Sequence, residues 1–116
     1  KRTVADARCP RCNLEEEDCN HNFRGCPTTK EVWKLTQLSW ILNNTQDTLW
    51  NWLTWVFCRG SNEQCRLFCC GLWIIWTSRN KFVYENKQST SRDISIKILD
   101  FISELRGIEE KKLILA

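Results

Sequence analysis

Apolar residues recur at helical spacing through most of the chain after residue 27. Steps of three, four or seven positions predict helices over about residues 29–42, 48–58, 63–85 and 90–107. No segment alternates apolar and polar residues for more than a few positions, as a half-buried strand would. The pattern predicts an all-α fold in which about four helices follow a segment of different character.

Capping and turn residues indicate where these helices begin and end. Residues 28–31 have the Thr-x-x-Glu spacing of a capping box, and residues 90–93 offer a similar Thr-x-x-Asp start. Asn62 is a candidate N-cap for the third helix, and Gly107 is expected to end the fourth. The polar residues 43–47 mark a break between the first two helices.

The helical apolar residues are expected to build the core. All seven tryptophans lie on predicted helices, so most of them are predicted to be buried. Trp50 and Trp55 lie off the main apolar face of the second helix, which makes them the candidates for stacking on a nucleic-acid base. The third helix places Cys65, Phe68, Cys69, Leu72, Trp76 and Val83 on one face, and the fourth has a stripe of Ile94, Ile98, Phe101, Ile102 and Leu105.

The length of 116 residues allows a single domain with an adequate core. We expect residues 1–27 to form a small amino-terminal knob and residues 28–116 to form the helical part of the same domain. The longest strongly apolar run, residues 72–76, is far shorter than the roughly 20 residues that span a bilayer, so no membrane partner is expected. The net charge of +3 is too small to identify a partner.

The eight cysteines divide into two groups. Cys9, Cys12, Cys19 and Cys26 cluster with the only histidine, His21, whereas the other four lie in apolar helical sequence, where a free thiol packs well. This distribution favours a reducing compartment, so we expect an intracellular protein, nuclear or cytoplasmic. A secreted helical protein with disulfides is the alternative.

The first cysteine group has the spacing of a metal site. Cys9 and Cys12 form the tight Cys-x2-Cys pair that binds one tetrahedral ion, and His21 and Cys26 supply the other two ligands. Three sulfurs and one imidazole saturate Zn²⁺ and leave no position for an activated water, so the predicted site is structural. Residues 1–27 are therefore expected to form a zinc-binding knob. Cys19 is an alternative ligand that would displace His21 and give an all-cysteine site.

The residues around these ligands form a longer pattern. Residues 9–12 are Cys-Pro-Arg-Cys, residues 15–18 are acidic, residues 21–27 are His-Asn-Phe-Arg-Gly-Cys-Pro and residues 31–33 are Glu-Val-Trp. This pattern resembles the zinc-binding domain that follows the reverse transcriptase in plant LINE-type retroelements. Residues 73–81, Trp-Ile-Ile-Trp-Thr-Ser-Arg-Asn-Lys, are similar to a helix found downstream in the same polyproteins.

The resemblance implies an accessory module of a retroelement polyprotein, or of a host protein derived from one, that assists in handling RNA or DNA. An alternative is a protein-interaction module, with the apolar stripe of residues 94–105 as its docking face or as the seam of a dimer. Hydrogen bonding of Arg79 or Asn80 to a neighbouring loop competes with a role in phosphate binding. The candidate nucleic-acid-binding residues are Arg8, Arg11, Arg24, Arg79, Asn80 and Lys81.

Catalytic groupings are not visible in the sequence. Reverse transcription needs a carboxylate pair in a Tyr-x-Asp-Asp type of turn, and ribonuclease H chemistry needs about four convergent carboxylates for two metal ions. A Cys/His nucleophile would compete with the metal for the only histidine. The prediction is therefore a non-enzyme without a small-molecule substrate.

Overall fold

The computed structural model describes residues 8–13, 17–43 and 48–107 and the course of the last helix from there to Leu115. Four α-helices lie in these ranges: α1 (Pro27–Leu35), α2 (Leu49–Arg59), α3 (Asn62–Glu85) and α4 (Ser91–Leu115). A π-helical turn (His21–Gly25) precedes α1, and a 3₁₀ helix (Ser39–Asn43) follows it. No strand occurs in the described ranges, so the all-α prediction is confirmed.

Parts of the sequence pattern lie outside the described residues. These are residues 1–7 of the predicted knob, residues 14–16 of the acidic stretch and most of the polar break at residues 43–47. Across the helices that are described, none is both long and apolar enough to cross a bilayer.

The first predicted helix is too long at its carboxyl end. α1 ends at Leu35 because Gln37 takes a left-handed conformation, with a φ of 65°. The Leu38 amide donates to the Trp33 carbonyl (2.8 Å) and the Gln37 amide to the Lys34 carbonyl (3.2 Å), which is the Schellman motif of a helix end. Glycine usually occupies this left-handed position, so its absence from the sequence concealed the end of the helix.

Side-chain caps fix the starts of three helices. The Thr48 hydroxyl accepts from the Asn51 amide (3.2 Å) at the start of α2. Thr90 and Asp93 bond to each other's backbone amides before α4, which confirms the second predicted capping box. The predicted N-cap of α3 is off by one residue, since Ser61 caps that helix in a reciprocal box with Gln64.

The predicted start of the first helix and the predicted end of the fourth are wrong. α1 begins at Pro27 with Cys26 as its N-cap and no side-chain cap bond, so residues 28–31 do not act as a capping box. Proline suits this first position because its missing amide would have no helical partner. α4 continues through Gly107 to Leu115, which shows that a single glycine did not end a long amphipathic helix.

The core forms where α4 packs against both α1 and α3. Phe68 of α3 lies at its centre, with ring centroids 5.3 Å from both Trp33 and Trp52. Both tryptophans also donate their indole N–H to a backbone carbonyl at 2.8 Å. The apolar residues buried in this core are Val32, Trp33, Leu38, Ile41, Trp52, Val56, Phe68, Cys70, Ile75, Ile94, Ile98 and Ile102.

Gly71 allows α1 to approach α3 closely. A Cβ atom at this position would lie 2.5 and 2.6 Å from two ring carbons of Trp33, a separation that real Cβ atoms do not tolerate. The buried Trp33 ring therefore packs directly on the backbone of α3.

The predicted burial of most tryptophans is wrong. Trp33 and Trp52 are buried and Trp40 and Trp55 are partly buried, whereas Trp50, Trp73 and Trp76 are exposed. The predicted face of α3 is also rotated, because Phe68, Gly71, Ile75 and Ser78 are buried while Cys69 and Trp76 are exposed. Of the α4 stripe, only Ile94, Ile98 and Ile102 enter the core, and Phe101 and Leu105 stay exposed.

Candidate metal centre

A tight turn carries the first two metal-binding candidates. The Asn13 amide donates to the Cys9 carbonyl at 2.8 Å, and Asn13 has a left-handed φ of 56°. Asparagine tolerates this conformation better than most residues. The turn brings Cys9, which is buried, and Cys12, which is partly buried, to the same side of the backbone loop.

The π-helical turn carries the other two candidates. The Asp18 carboxylate accepts from the His21 amide at 2.7 Å and so caps the short helical segment, residues 19–20, that leads into this turn. The Cys26 amide donates to the His21 carbonyl at 2.7 Å across its end. π-Helical turns are rare and often occur at functional sites. Here the turn sets His21 and Cys26, both buried, against the first pair.

The four side chains form a cluster that could hold one metal ion. Their donor atoms all lie within 4.8 Å of one another. The Cys9 and Cys26 sulfurs are 3.9 Å apart, and the Cys12 sulfur is 3.4 Å from His21 Nε2. Soft sulfur and imidazole donors suit a transition metal rather than Mg²⁺ or Ca²⁺.

Cys19 is not part of this cluster. It is exposed at the start of the helical segment that leads to the π-helical turn, and the group of metal-binding donors contains His21 in its place. All eight cysteines are free thiols in the structure, so the disulfide alternative gains no support.

The buried sulfur pair has strongly perturbed acidity in the chain without a metal ion. A hydrogen bond between the two thiols, together with burial, raises the pKa of Cys9 to about 12. The same hydrogen bond lowers the pKa of Cys26 to about 6. The acidities of the two sulfurs are therefore coupled through their 3.9 Å contact.

Arg11 joins the cluster to the helices. Its guanidinium donates to the Ile75 carbonyl of α3 and lies 3.5 Å from the Thr29 hydroxyl of α1. Burial lowers the pKa of Arg11, although the nearby charges of Cys26 and Cys9 partly offset this effect. The side chain that was a phosphate-binding candidate is therefore engaged with α1 and α3.

Arg79 makes a second contact between α3 and the knob. Its guanidinium bonds to both carboxylate oxygens of Glu17, with a 2.8 Å contact between Nε and Oε2. The two side chains are only 14% and 12% exposed. The hydrogen bonds with Glu17 raise the pKa of Arg79. The sequence left two roles open for Arg79, phosphate binding or hydrogen bonding to a neighbouring loop. In the structure Arg79 makes the second kind of contact, through this bidentate pair with Glu17.

Arg24 is buried and also has partners within the chain. It donates to the Asn20 side chain, and its guanidinium lies 5.5 Å from the ring centroid of Trp52. The backbone of the same turn contacts α1, because Trp33 donates to the Phe23 carbonyl (2.8 Å) and Thr29 to the Asn22 carbonyl (2.6 Å).

The remaining nucleic-acid candidates differ in exposure. Arg8 and Lys81 are exposed, whereas Asn80 is partly buried and accepts from Arg79 at 3.0 Å. The six candidates thus do not form one exposed basic patch: three arginines hold the knob on the helices, and two side chains face the solvent.

Sequence reasoning missed the partners of these arginines. Glu17, Asp18 and Thr29 position the metal centre, yet they entered the sequence pattern only as acidic or capping residues. The acidic stretch beside the ligands was the one available signal, since a buried arginine needs a carboxylate partner. Its pairing with Arg79 spans 62 positions and could not be inferred from spacing.

Comparison of the chain with protein-family models, with curated proteins and with solved structures found no match.

Proposed function

We propose that the chain is a zinc-stabilised, non-catalytic module that associates with RNA or DNA, related to the retroelement domains that its motifs resemble. The observation that carries the zinc assignment is the four-donor cluster of Cys9, Cys12, His21 and Cys26. The nucleic-acid role is supported by the resemblance of residues 9–33 and 73–81 to those domains.

The spacing of the donors supports zinc. Zn–S bonds of about 2.3 Å and Zn–N bonds of about 2.0–2.1 Å in a tetrahedron separate two sulfurs by about 3.8 Å and a sulfur from a nitrogen by about 3.6 Å. The corresponding distances are 3.9 Å for Cys9 and Cys26 and 3.4 Å for Cys12 and His21. All four donor atoms lie within 4.8 Å of one another, so zinc binding would need side-chain shifts of about 1 Å or less.

The charge of the site suits a buried structural ion. Three thiolates (−3) and Zn²⁺ (+2) with a neutral imidazole give −1, and the guanidinium of Arg11 beside the sulfurs supplies +1. Four protein ligands leave zinc no open position, which supports a role in folding rather than in catalysis.

Association with nucleic acid would use exposed basic and aromatic side chains. Arg8 directly precedes the ligand Cys9, and Lys81 lies two residues beyond Arg79, which holds the knob. Trp50 is 78% exposed, and an aromatic ring in that state can stack on an unpaired base for about 1–3 kcal/mol.

Binding to a single-stranded oligonucleotide tests this role. We expect salt-sensitive binding of the zinc-loaded protein, measured by fluorescence anisotropy, because phosphate contacts release counterions. A variant with Arg8→Ala and Lys81→Ala is expected to reduce both the affinity and the salt dependence, and Trp50→Ala to reduce affinity alone. Lys30→Ala, an exposed lysine of α1, is the matched control. Absence of binding at low salt to both RNA and DNA would overturn the role.

The second candidate is a protein-interaction module. It is favoured by exposed apolar residues on the outer side of α3 and α4, among them Trp73 (64% exposed) and Phe101 (43%). Exposed apolar groups that adjoin one another mark interaction surfaces. Salt-insensitive capture of a defined protein that is lost in Trp73→Ala but kept in Tyr84→Ala would support this candidate, and equal capture by both variants would contradict it.

A further inference from the structure

Four cysteines lie outside the candidate metal centre, and burial in the core accounts for only one of them. Cys70 is buried, with its sulfur 3.9 Å from the Ile98 carbonyl oxygen. Cys58 and Cys69 are exposed, and Cys65 is partly buried. Packing as a small apolar side chain, which suits a free cysteine in a core, therefore leaves these three thiols without an explanation.

Two of these thiols lie on the same face of α3. Cys65 and Cys69 are four residues apart, a spacing that places two Cβ atoms about 5–6 Å from each other on a helix. The pKa of Cys69 is raised, first by desolvation and also by the neighbouring Cys65 thiol, which agrees with this proximity. The Cys65 sulfur makes only long contacts, 3.7 Å each, to the carbonyl oxygens of Phe57 and Gly60. The two sulfurs are therefore neighbours that one ion could bridge.

The two thiols line an apolar groove between α3 and α4, which we name the α3/α4 groove. It has a volume of about 530 Å³. Besides Cys65, Cys69 and Cys70, the described residues that line it are Arg66, Trp73, Phe101 and Leu105. An arginine stays protonated and has no acceptor atom, and the indole, phenyl and isobutyl groups are not metal ligands either. The thiols are therefore the metal-binding donors of this groove.

The number and the softness of these donors select the kind of ligand. Among the described residues, only the cluster in the knob brings three or more metal-binding donors together, so Cys65 and Cys69 have no third donor beside them. Zn²⁺ in a closed site takes four ligands. Cu(II) prefers nitrogen and oxygen donors, whereas Cu(I) is selected by thiolates. A Cu(I) ion between two thiolates needs no further donor, and apolar walls suit an ion that holds no water.

A disulfide between the same two cysteines fits the helix less well. The two Cβ atoms of a disulfide lie about 3.5–4.5 Å apart. The helix sets a separation of about 5–6 Å for residues spaced by four. An ion between the two sulfurs spans the longer separation without bending α3.

We infer that Cys65 and Cys69 form a second metal site, which binds one Cu(I) ion as a bis-thiolate in the α3/α4 groove. Each thiol releases its proton to the solvent as its sulfur coordinates the ion, and the copper keeps its oxidation state. This site goes beyond the proposed function and does not depend on the nucleic-acid role.

Native mass spectrometry during a titration with Cu(I) tests this site. The zinc-loaded protein is titrated without oxygen in the presence of bicinchoninate, a chelator that competes for Cu(I). The wild type is expected to take up one Cu(I) per chain and to keep its Zn²⁺, because the zinc ligands Cys9 and Cys26 are buried. Excess Zn²⁺ is not expected to add a second zinc ion, since the groove offers only two thiolates.

Serine variants locate the ion. Cys65→Ser and Cys69→Ser are each expected to weaken Cu(I) binding by more than about 100-fold, since loss of an outer-shell partner alone costs about 10–100-fold. Cys58→Ser, which changes an exposed cysteine of α2, is the matched control and should bind Cu(I) like the wild type. An unchanged circular dichroism spectrum shows that each variant is folded.

Alkylation of the wild type with iodoacetamide gives a readout that needs no variant. Bound Cu(I) is expected to protect Cys65 and Cys69 from the reagent and to leave Cys58 reactive, because a coordinated sulfur is no longer a free nucleophile. Peptide mass spectrometry after digestion measures the modified fraction of each cysteine.

Three results would overturn this inference: a wild type that takes up no Cu(I) against the chelator, copper that enters only by displacing the zinc, or equal weakening in Cys58→Ser and Cys69→Ser. The last of these would indicate an adventitious ion only, held by exposed thiols in general. A wild type that lacks Zn²⁺ but binds Cu(I) through Cys69 would contradict the zinc assignment and leave the copper site standing.

Discussion

The knob and the helical body are held together by different forces. The buried residues of the knob are mainly sulfur-containing or polar (Cys9, His21, Asn22, Arg24 and Cys26), whereas those of the body are mainly aliphatic and aromatic. A segment of this length cannot bury enough apolar surface to order itself. We propose that the knob depends on a metal ion and on arginine contacts, whereas the body depends on its packed core.

Metal removal is expected to produce the largest effect, and it acts first on the knob. Structural zinc contributes about 10–16 kcal/mol of apparent binding energy in zinc-finger peptides, which is also folding energy. Chelation should lower the melting temperature by more than any single core substitution, and added Zn²⁺ should restore it. Thermal unfolding followed by circular dichroism measures this change. An unchanged melting temperature after complete chelation would contradict the metal dependence of the knob.

Truncation of Trp33 is expected to have the next largest effect, in the body. The Trp33 ring is fully buried against Phe68 and Gly71, so Trp33→Ala should destabilise the fold by about 3–5 kcal/mol in urea unfolding. Trp50→Ala, in which an exposed ring is lost, is the control and should change stability by less than about 0.5 kcal/mol. Equal losses in both variants would be inconsistent with the described core.

The Arg79–Glu17 ion pair, which connects the knob to α3, should show energetic coupling between its two side chains. Arg79→Ala is expected to destabilise the protein by about 1.5–3 kcal/mol, because hydrogen bonds to a charged partner are lost and Glu17 is left without its guanidinium. Glu17→Ala should have a similar effect, and the double variant should be little worse than either single one. Additive losses in this double-mutant cycle would show that the two side chains do not interact in solution.

A methyl group at Gly71 provides a smaller test of the helix contact. Gly71→Ala should destabilise the fold by about 1–3 kcal/mol, because the new Cβ overlaps the rigid Trp33 ring. Gly107→Ala in α4 has no neighbouring atom within 4 Å and should stabilise the helix by about 0.5–1 kcal/mol. Differential scanning calorimetry of the two variants gives both values. If Gly71→Ala instead stabilises the protein, the Trp33 ring does not pack against the backbone at residue 71.

Local sequence signals predicted the parts of the fold that local interactions determine. The cap at Thr90 and, to within one residue, the bounds of α2 and α3 follow from residues within a few positions of one another. The same holds for the metal-binding candidates, which lie close together in the sequence. The Cys-x2-Cys and His-x4-Cys spacings therefore identified a donor set that the structure brings together.

Long-range contacts decided the features that the sequence did not reveal. Which side of α3 enters the core depends on Trp33 packing at Gly71, a contact between residues 38 positions apart. The engagement of Arg11 and Arg79 depends on Ile75 and Glu17, more than 60 positions away. α1 ends just before Gln37, which has a left-handed conformation. Glycine usually occupies this position, so the sequence did not mark the end of the helix.

Native mass spectrometry of the purified protein tests the central claim most directly. The account predicts one Zn²⁺ per chain in the wild type and in Cys19→Ser, because Cys19 lies outside the donor cluster, and loss of the ion in Cys26→Ser. A folded, metal-free wild type, or retention of zinc in Cys26→Ser with loss in Cys19→Ser, would contradict it.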